Sequence, residues 1–147
     1  MVSHTHEVRV RWGDVDYAGI AFYPKFFRWF DEAADEFFRA LGLPWERYFP
    51  EAKILGFSIL EASSQFLAPV FYGELLRIVT RVADLREKTF RMEHEVWRGE
   101  TCCAKGYEIR AMVEEYDGRR RATPIPDFLR QKFEGTASRD PDAPGRA

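Results

Sequence analysis

Thiol chemistry is nearly missing from this chain: of its 147 residues only Cys102 and Cys103 are cysteines. Being adjacent, they suit neither a loop-closing disulfide nor the ligand spacing of a zinc site, and they read as buried, reduced thiols. No apolar run is long enough to cross a bilayer. The longest uncharged stretch in the body, residues 62–73, has 12 residues and holds Ser63, Ser64, Gln65 and Pro69, whereas a spanning helix needs about 20. Residues 1–14 alternate apolar and polar side chains without the apolar segment of a secretory signal, so a cytoplasmic location is expected. Neither sign of charge prevails, since 22 Lys and Arg face 24 Asp and Glu for a formal net charge of -2. Neither nucleic acid nor a membrane is therefore expected as a partner. Also missing are a phosphate loop, a dinucleotide fingerprint and any internal repeat. Residues 56–60 lack the second glycine of a nucleophile elbow.

What the chain has in quantity is aromatic mass, with 13 Phe, 4 Trp and 6 Tyr within a 46% hydrophobic composition. A folded monomer of 17.2 kDa buries about 69% of its extended surface by area scaling, enough for one domain with a real core. The domain is expected over residues 1–135. Residues 136–147, with Pro141, Pro144, Gly145 and scattered charges, read as a disordered tail.

Residues 7–12 alternate as a half-buried strand does, with Val8, Val10 and Trp12 on one face. From Pro24 the period becomes helical: Phe26, Phe27, Phe30, Ala33, Ala34, Phe37, Phe38 and Leu41 recur at three- and four-residue spacings. Pro24 suits the first helical position and Gly42 the position past the end. A short helix is expected over residues 44–49. Strands are then expected over residues 56–67, 74–87, 88–98, 103–116 and 120–124, joined by short turns that imply antiparallel neighbours. In the fourth of these, Tyr107, Ile109, Ala111 and Val113 alternate with Glu108, Arg110 and Glu114. One long helix followed by consecutive antiparallel strands is an α+β layout in which the sheet wraps the helix.

Chemistry is expected in the turn before that helix. Asp14 and Asp16 lie there, Gly19 frees the backbone, and Pro24 opens a helix whose first N–H groups lack intrahelical partners. A carboxylate next to a helix N-terminus that can polarise a carbonyl oxygen supplies the parts of an acyl-transfer site; an ordinary Asp-rich turn is the plainer alternative. Of the other polar groups, His4 and His6 near the terminus give no metal expectation, and His94, among Phe90, Met92 and Val96, reads as a satisfied core histidine.

Residues 12–24, Trp-Gly-Asp-Val-Asp-Tyr-Ala-Gly-Ile-Ala-Phe-Tyr-Pro, followed by Arg28-Trp29-Phe30-Asp31 and Gly42-Leu43-Pro44-Trp45, resemble the N-terminal signature of the 4-hydroxybenzoyl-CoA thioesterase family. The resemblance continues through Lys88-Thr89-Phe90 and Glu108-Ile109-Arg110 to Arg121 and Pro126. It implies a hotdog fold, one long helix wrapped by a five- or six-stranded antiparallel sheet, and an acyl-CoA thioesterase that uses no cofactor. By resemblance Asp16 is the catalytic carboxylate, as nucleophile or general base, and the backbone N–H of Tyr23 polarises the carbonyl. Asp14 is then the turn-former and Asp31 a candidate contact in the acyl pocket. Arg86, Lys88 and Arg121 match basic positions for the CoA phosphates, although Glu87 interrupts a more basic run. The expected substrate is an aryl-CoA thioester of the 4-hydroxybenzoyl or benzoyl type. Alternatives are a short or branched aliphatic acyl-CoA, an acyl carrier protein thioester, or a non-catalytic acyl-CoA-binding subunit. The family joins protomers sheet edge to sheet edge with the acyl site at the seam, so a homodimer at least, and a tetramer, is expected. Trp97, Met112 and Tyr116 are expected on the outer sheet face as apolar support for that tetramer.

Overall fold

The structure, a computed structural model, describes residues 1–135; the expected tail, residues 136–147, lies outside the described residues. Six strands, Ser3–Arg9 (β1), Gly56–Phe66 (β2), Leu75–Ala83 (β3), Thr89–Arg98 (β4), Thr101–Tyr116 (β5) and Arg119–Ala122 (β6), form one sheet. Every pairing is antiparallel, in the order β1-β3-β4-β5-β2, and β6 pairs with the end of β5. Three helices accompany it, Pro24–Ala40 (α1), Trp45–Ala52 (α2) and Asp127–Glu134 (α3). This is the hotdog layout, α+β, with α1 as the wrapped helix.

The helical spacing of apolar residues puts Phe26, Trp29, Phe30, Ala33, Ala34, Phe37 and Phe38 of α1 against the sheet. Phe30, Phe37 and Phe38 are fully buried, each contributing about 2–3 kcal/mol by area removed from water. Pro24 begins the helix, and a left-handed Gly42 ends it. There Leu43 N–H donates to the Phe38 carbonyl and Gly42 N–H to that of Arg39, the paired bonds of a Schellman stop.

Three expectations are corrected. The first strand lies earlier, over Ser3–Arg9, so His4 and His6 share its inward face with Val8 instead of lying near a loose end. The chain then leaves the sheet at Val10 and makes a single 3-10 turn, Trp12–Asp14, which leaves Trp12 75% exposed. In β5 the alternation runs opposite to expectation. Glu108 and Arg110 face the core and Met112 joins them there, while Tyr107 and Ile109 take the outer side. The physical reason is partnership: His94 and Asp31 meet those two charges inside. Met112 thus leaves the expected outer apolar set, and Tyr107 enters it with the Arg91 guanidinium 3.6 Å above its ring. Finally, α3 was not expected as a helix. Its Leu129 and Phe133, four residues apart, plug the core beside Phe37, Phe38 and Phe90.

Candidate active site

Between Trp12 and Pro24 the chain forms a small closed hairpin. Phe22 N–H donates to the Asp14 carbonyl at 2.8 Å, Val15 and Ala21 form a β-bridge, and Asp16 N–H donates to the Ile20 carbonyl at 2.9 Å. Gly19, at φ +77°, makes the reversal that a side chain would resist. The hairpin is laced to the loop between β2 and β3: Ala21 N–H donates to Val70 O at 2.7 Å and Tyr72 N–H to Gly19 O. Arg98 in turn holds that loop through the Pro69 carbonyl and Glu74.

The two aspartates differ in their bonding. Asp14 Oδ2 accepts Arg11 N–H at 2.8 Å, closing the first turn. Asp16 is exposed, and its Oδ1 accepts Ala18 N–H at 2.9 Å and Ile20 N–H at 3.3 Å. Among the described hydrogen bonds its Oδ2 has no donor, so one carboxylate oxygen is oriented by the loop and the other is available.

The start of α1 leaves the Tyr23 N–H available among the described bonds. Pro24 has no N–H, while the N–H groups of Lys25 and Phe26 donate back to Phe22 O and Tyr23 O. Tyr23 N–H, at the N-cap and without a side-chain cap, donates to no acceptor among the described bonds. It therefore lies where the helix dipole is positive with its hydrogen bond unmade. Beside it is an open apolar groove of about 350 Å³ lined by Ile20, Tyr23, Phe26, Phe66, Leu67 and Val70. The Tyr23 and Phe26 rings stand edge-on to Phe66, at 6.2 and 5.1 Å between centroids. Phe66 ends β2, an edge strand paired on one side only among the described residues.

The remaining candidate residues are elsewhere. Asp31 does not line that groove; its carboxylate accepts from Arg110 Nη2 at 2.9 Å. Arg86 is exposed in the β3–β4 turn and paired with Asp84 at 3.2 Å. Lys88 is exposed beside it, and its carbonyl accepts Met112 N–H. Arg121, on β6, pairs with Glu114 at 2.9 Å and stands 3.5 Å over the Tyr116 ring. These three cations share one end of the sheet, opposite the hairpin. Phe66 pairs with Ala104 and Lys88 bonds at Met112, eight residues farther along β5, or about 27 Å at strand rise.

A buried polar chain escaped the sequence reading except for His94. Thr80 Oγ1 lies 2.7 Å from His94 Nδ1, His94 Nε2 lies 2.8 Å from Glu108, and Glu108 lies 3.1 Å from Arg110 Nη2. His94 is indeed a satisfied core histidine. The inverted phase of β5 hid the rest. Among the described residues no group of three or more His, Cys, Asp or Glu is arranged to hold a metal ion, and no helix is long and apolar enough to cross a membrane.

Comparison with known proteins narrows the reading. The 4-hydroxybenzoyl-CoA thioesterase of Pseudomonas sp. (strain CBS-3) is 32% identical over 134 residues, 86% of this chain and 95% of the relative. A crystal structure of an Asp-to-Asn mutant of 4-hydroxybenzoyl CoA thioesterase complexed with 4-hydroxybenzoyl CoA superposes with a TM-score of 0.83 at 30% identity, covering 89% of this chain and 98% of that one. A gentisyl-coenzyme A thioesterase structure is 36% identical with a TM-score of 0.77, covering 89% and 99%. With this fold and these relatives, the protein is a hotdog-fold thioester hydrolase. A family model described as the Thioesterase-like superfamily matches residues 10–133. The chain belongs to that superfamily.

Proposed function

We propose that the protein hydrolyses an aryl-CoA thioester of the hydroxybenzoyl class to the free acid and CoA. The observation that carries this reading is that one closed hairpin holds two groups without partners among the described bonds, Asp16 Oδ2 and Tyr23 N–H, with Tyr23 lining an apolar groove. Two relatives above 30% identity, named for 4-hydroxybenzoyl-CoA and gentisyl-CoA, support the aryl class. The relative crystallised with its thioester as an Asp-to-Asn mutant supports a carboxylate in the chemistry.

In this reading the thioester oxygen accepts Tyr23 N–H, whose bond strengthens as negative charge develops on that oxygen. Asp16 then acts in one of two ways. As nucleophile, Oδ2 attacks the carbonyl carbon, the C–S bond breaks with its electron pair leaving on CoA thiolate, and water hydrolyses the resulting anhydride. As general base, it takes a proton from water while that water attacks the same carbon, and thiolate again leaves. The bonds from Ala18 and Ile20 to Oδ1 hold the carboxylate for either route.

The groove opens at the β2 edge, where Ile59, Leu60, Phe66 and Leu67 are 48% exposed or more. That edge supports a homodimer joined through β2, with each acyl site at the seam. Trp97 and Tyr116, joined by Tyr107 and Ile109, support a second contact that would make a tetramer. The cations Arg86, Lys88 and Arg121 are assigned to the CoA phosphates. A cytoplasmic location completes the proposal, supported by two free cysteines that suit a reducing compartment.

The test is a steady-state screen against hydroxybenzoyl, naphthoyl, short aliphatic and branched acyl-CoA esters, following release of free thiol. A hydroxybenzoyl preference above tenfold, about 1.4 kcal/mol of transition-state discrimination, is expected. A preference of that size for an aliphatic ester would overturn the aryl assignment, and no thiol release from any ester would make the protein a binding subunit.

A further inference from the structure

Beneath α1 lie polar side chains that the proposed chemistry leaves unused. Thr80, His94, Glu108 and Arg110 are each 3% exposed or less. They form one continuous chain of hydrogen bonds that ends on Asp31 of α1. Such a buried ionic chain is weak evidence for stability, because well-packed apolar side chains in its place commonly leave a protein as stable or more so. Its geometry calls for another role.

Glu108 is the hub. A carboxylate only accepts, so His94 donates its Nε2–H to it, at 2.8 and 2.9 Å to the two oxygens, and Nδ1 is hydrogen-bonded to Thr80 Oγ1 at 2.7 Å. Arg110 donates to the same carboxylate from Nε and Nη2. The two side chains oriented in this way are the two that grip consecutive residues of α1. The His94 ring stacks on Phe30, with centroids 4.8 Å apart and planes within 5°, and Arg110 Nη2 holds Asp31 at 2.9 Å. Phe30 is seated so closely on β5 that a Cβ at Gly106 would stand 2.4 Å from its ring. Apart from the exposed Arg39–Glu46 ion pair to α2 at the far end of the helix, the rest of the α1 contact is aromatic and aliphatic packing, which is non-directional.

We propose that Glu108, His94 and Arg110 are positioning residues for catalysis. They fix α1 along and about its axis at Phe30 and Asp31, about 12 Å from Tyr23 at helical rise, and so fix where the Tyr23 N–H points. The proposal rests on the reading of Tyr23 N–H as carbonyl polariser. Displacements of an ångström at a reacting centre are costly in rate, so the effect belongs in kcat.

The experiment removes the chain without emptying the core, in the full-length protein. The triple variant His94→Phe, Glu108→Leu, Arg110→Met is expected to keep or raise the melting temperature, lose at least tenfold in kcat, and hold KM within twofold. Asp31→Asn, at an exposed position that tolerates substitution, should lower kcat severalfold at unchanged KM, and Asp31→Glu should recover most of it. In an Asp16→Asn background, the carbonyl stretching frequency of bound thioester should move back toward its solution value when the hub is replaced. Wild-type kcat in the folded triple variant overturns the proposal, as does wild-type kcat in Asp31→Asn, or a loss carried by KM alone. Should the triple variant not fold, the Asp31 pair and the carbonyl frequency in Asp16→Asn, Asp31→Asn decide. Activity that survives Asp16→Asn would sink the proposed function, whereas activity that survives loss of the hub sinks only this inference.

Discussion

Asp16 and Ile20 are bonded to each other twice: the Asp16 N–H donates to the Ile20 carbonyl at 2.9 Å, and the Ile20 N–H donates back to Asp16 Oδ1 at 3.3 Å. The side chain is thus part of the hairpin it serves, and a substitution there tests chemistry only if it preserves the Oδ1 acceptor. Asp16→Asn does so and removes the anionic Oδ2. We expect it to fold and bind substrate while kcat falls by several orders of magnitude, because an amide is neither a base nor an anionic nucleophile at neutral pH. Asp14→Asn keeps the acceptor for Arg11 N–H and should cost far less. Near wild-type turnover in Asp16→Asn would show the site assignment to be wrong.

The distance between the hairpin and the cation cluster leads to a second prediction. Lys88→Ala or Arg121→Ala should raise KM for the CoA ester, and the defect should shrink on a thioester lacking the nucleotide. Because Lys88 and Tyr23 lie at opposite ends of the sheet, the proposed assignment requires the phosphates held by one chain to belong to an acyl group processed by another. Mixing Lys88→Ala chains with Asp16→Asn chains should then rebuild sites of wild-type KM in hybrid oligomers. Hybrids that show only the raised KM of Lys88→Ala would mean that each chain uses its own cations.

How much of this is legible in the sequence depends on whether the deciding contact is local. The helix at Pro24 is legible because its three- and four-residue spacing, its opening proline and its closing Gly42 all lie within one segment. The turn after the first strand is legible because Asp14 and Asp16 act on backbone two to four residues away, whereas its closure into a hairpin is not. The inward turn of Glu108 and Arg110 is not, since a charge reads as solvent-facing until its partners are known. Those partners, His94 and Asp31, lie 14 and 79 residues away from Glu108 and Arg110 respectively. The same holds for Trp12, which alternation alone assigns to the buried face. The separation of Lys88 from Tyr23 is likewise a property of strand register, which no local pattern carries.

Acid should weaken the fold through His4. On the inward side of β1 its Nδ1 is buried without a partner, and burial, with repulsion from His6, lowers its pKa from the ordinary 6.5 despite an opposing pull from Glu36. The unfolded chain therefore takes up the proton more readily than the folded one. The contribution of neutral His4 is complete well above pH 6.5 and is lost as the pH falls through that value toward the lower folded one. Melting temperatures across this window should fall with pH in the wild type and fall less steeply in His4→Phe. Parallel profiles for the two proteins would remove His4 as the cause.

The β2 edge carries the last prediction. An edge strand with unpaired backbone and exposed apolar side chains pairs with another strand unless charge, proline or cover prevents it. Along β2 the residues Ile59 and Leu60 are 51% and 63% exposed, and Leu60 sits at the register shift between Ile59 and Glu61. The groove beside Tyr23 opens at the Phe66 end of the same strand. Pairing two copies of β2 antiparallel would bring the Phe66 end of one against the Gly56 end of the other, placing a second chain over each groove. Light scattering at micromolar concentration should therefore give a species of at least twice the chain's 17.2 kDa. Leu60→Lys, which puts a like charge on both sides of the seam, should shift that species toward the chain mass and reduce thioester hydrolysis in proportion, with the loss recovered at higher protein concentration by mass action. An active species of 17.2 kDa would refute both the edge-joined oligomer and the shared site.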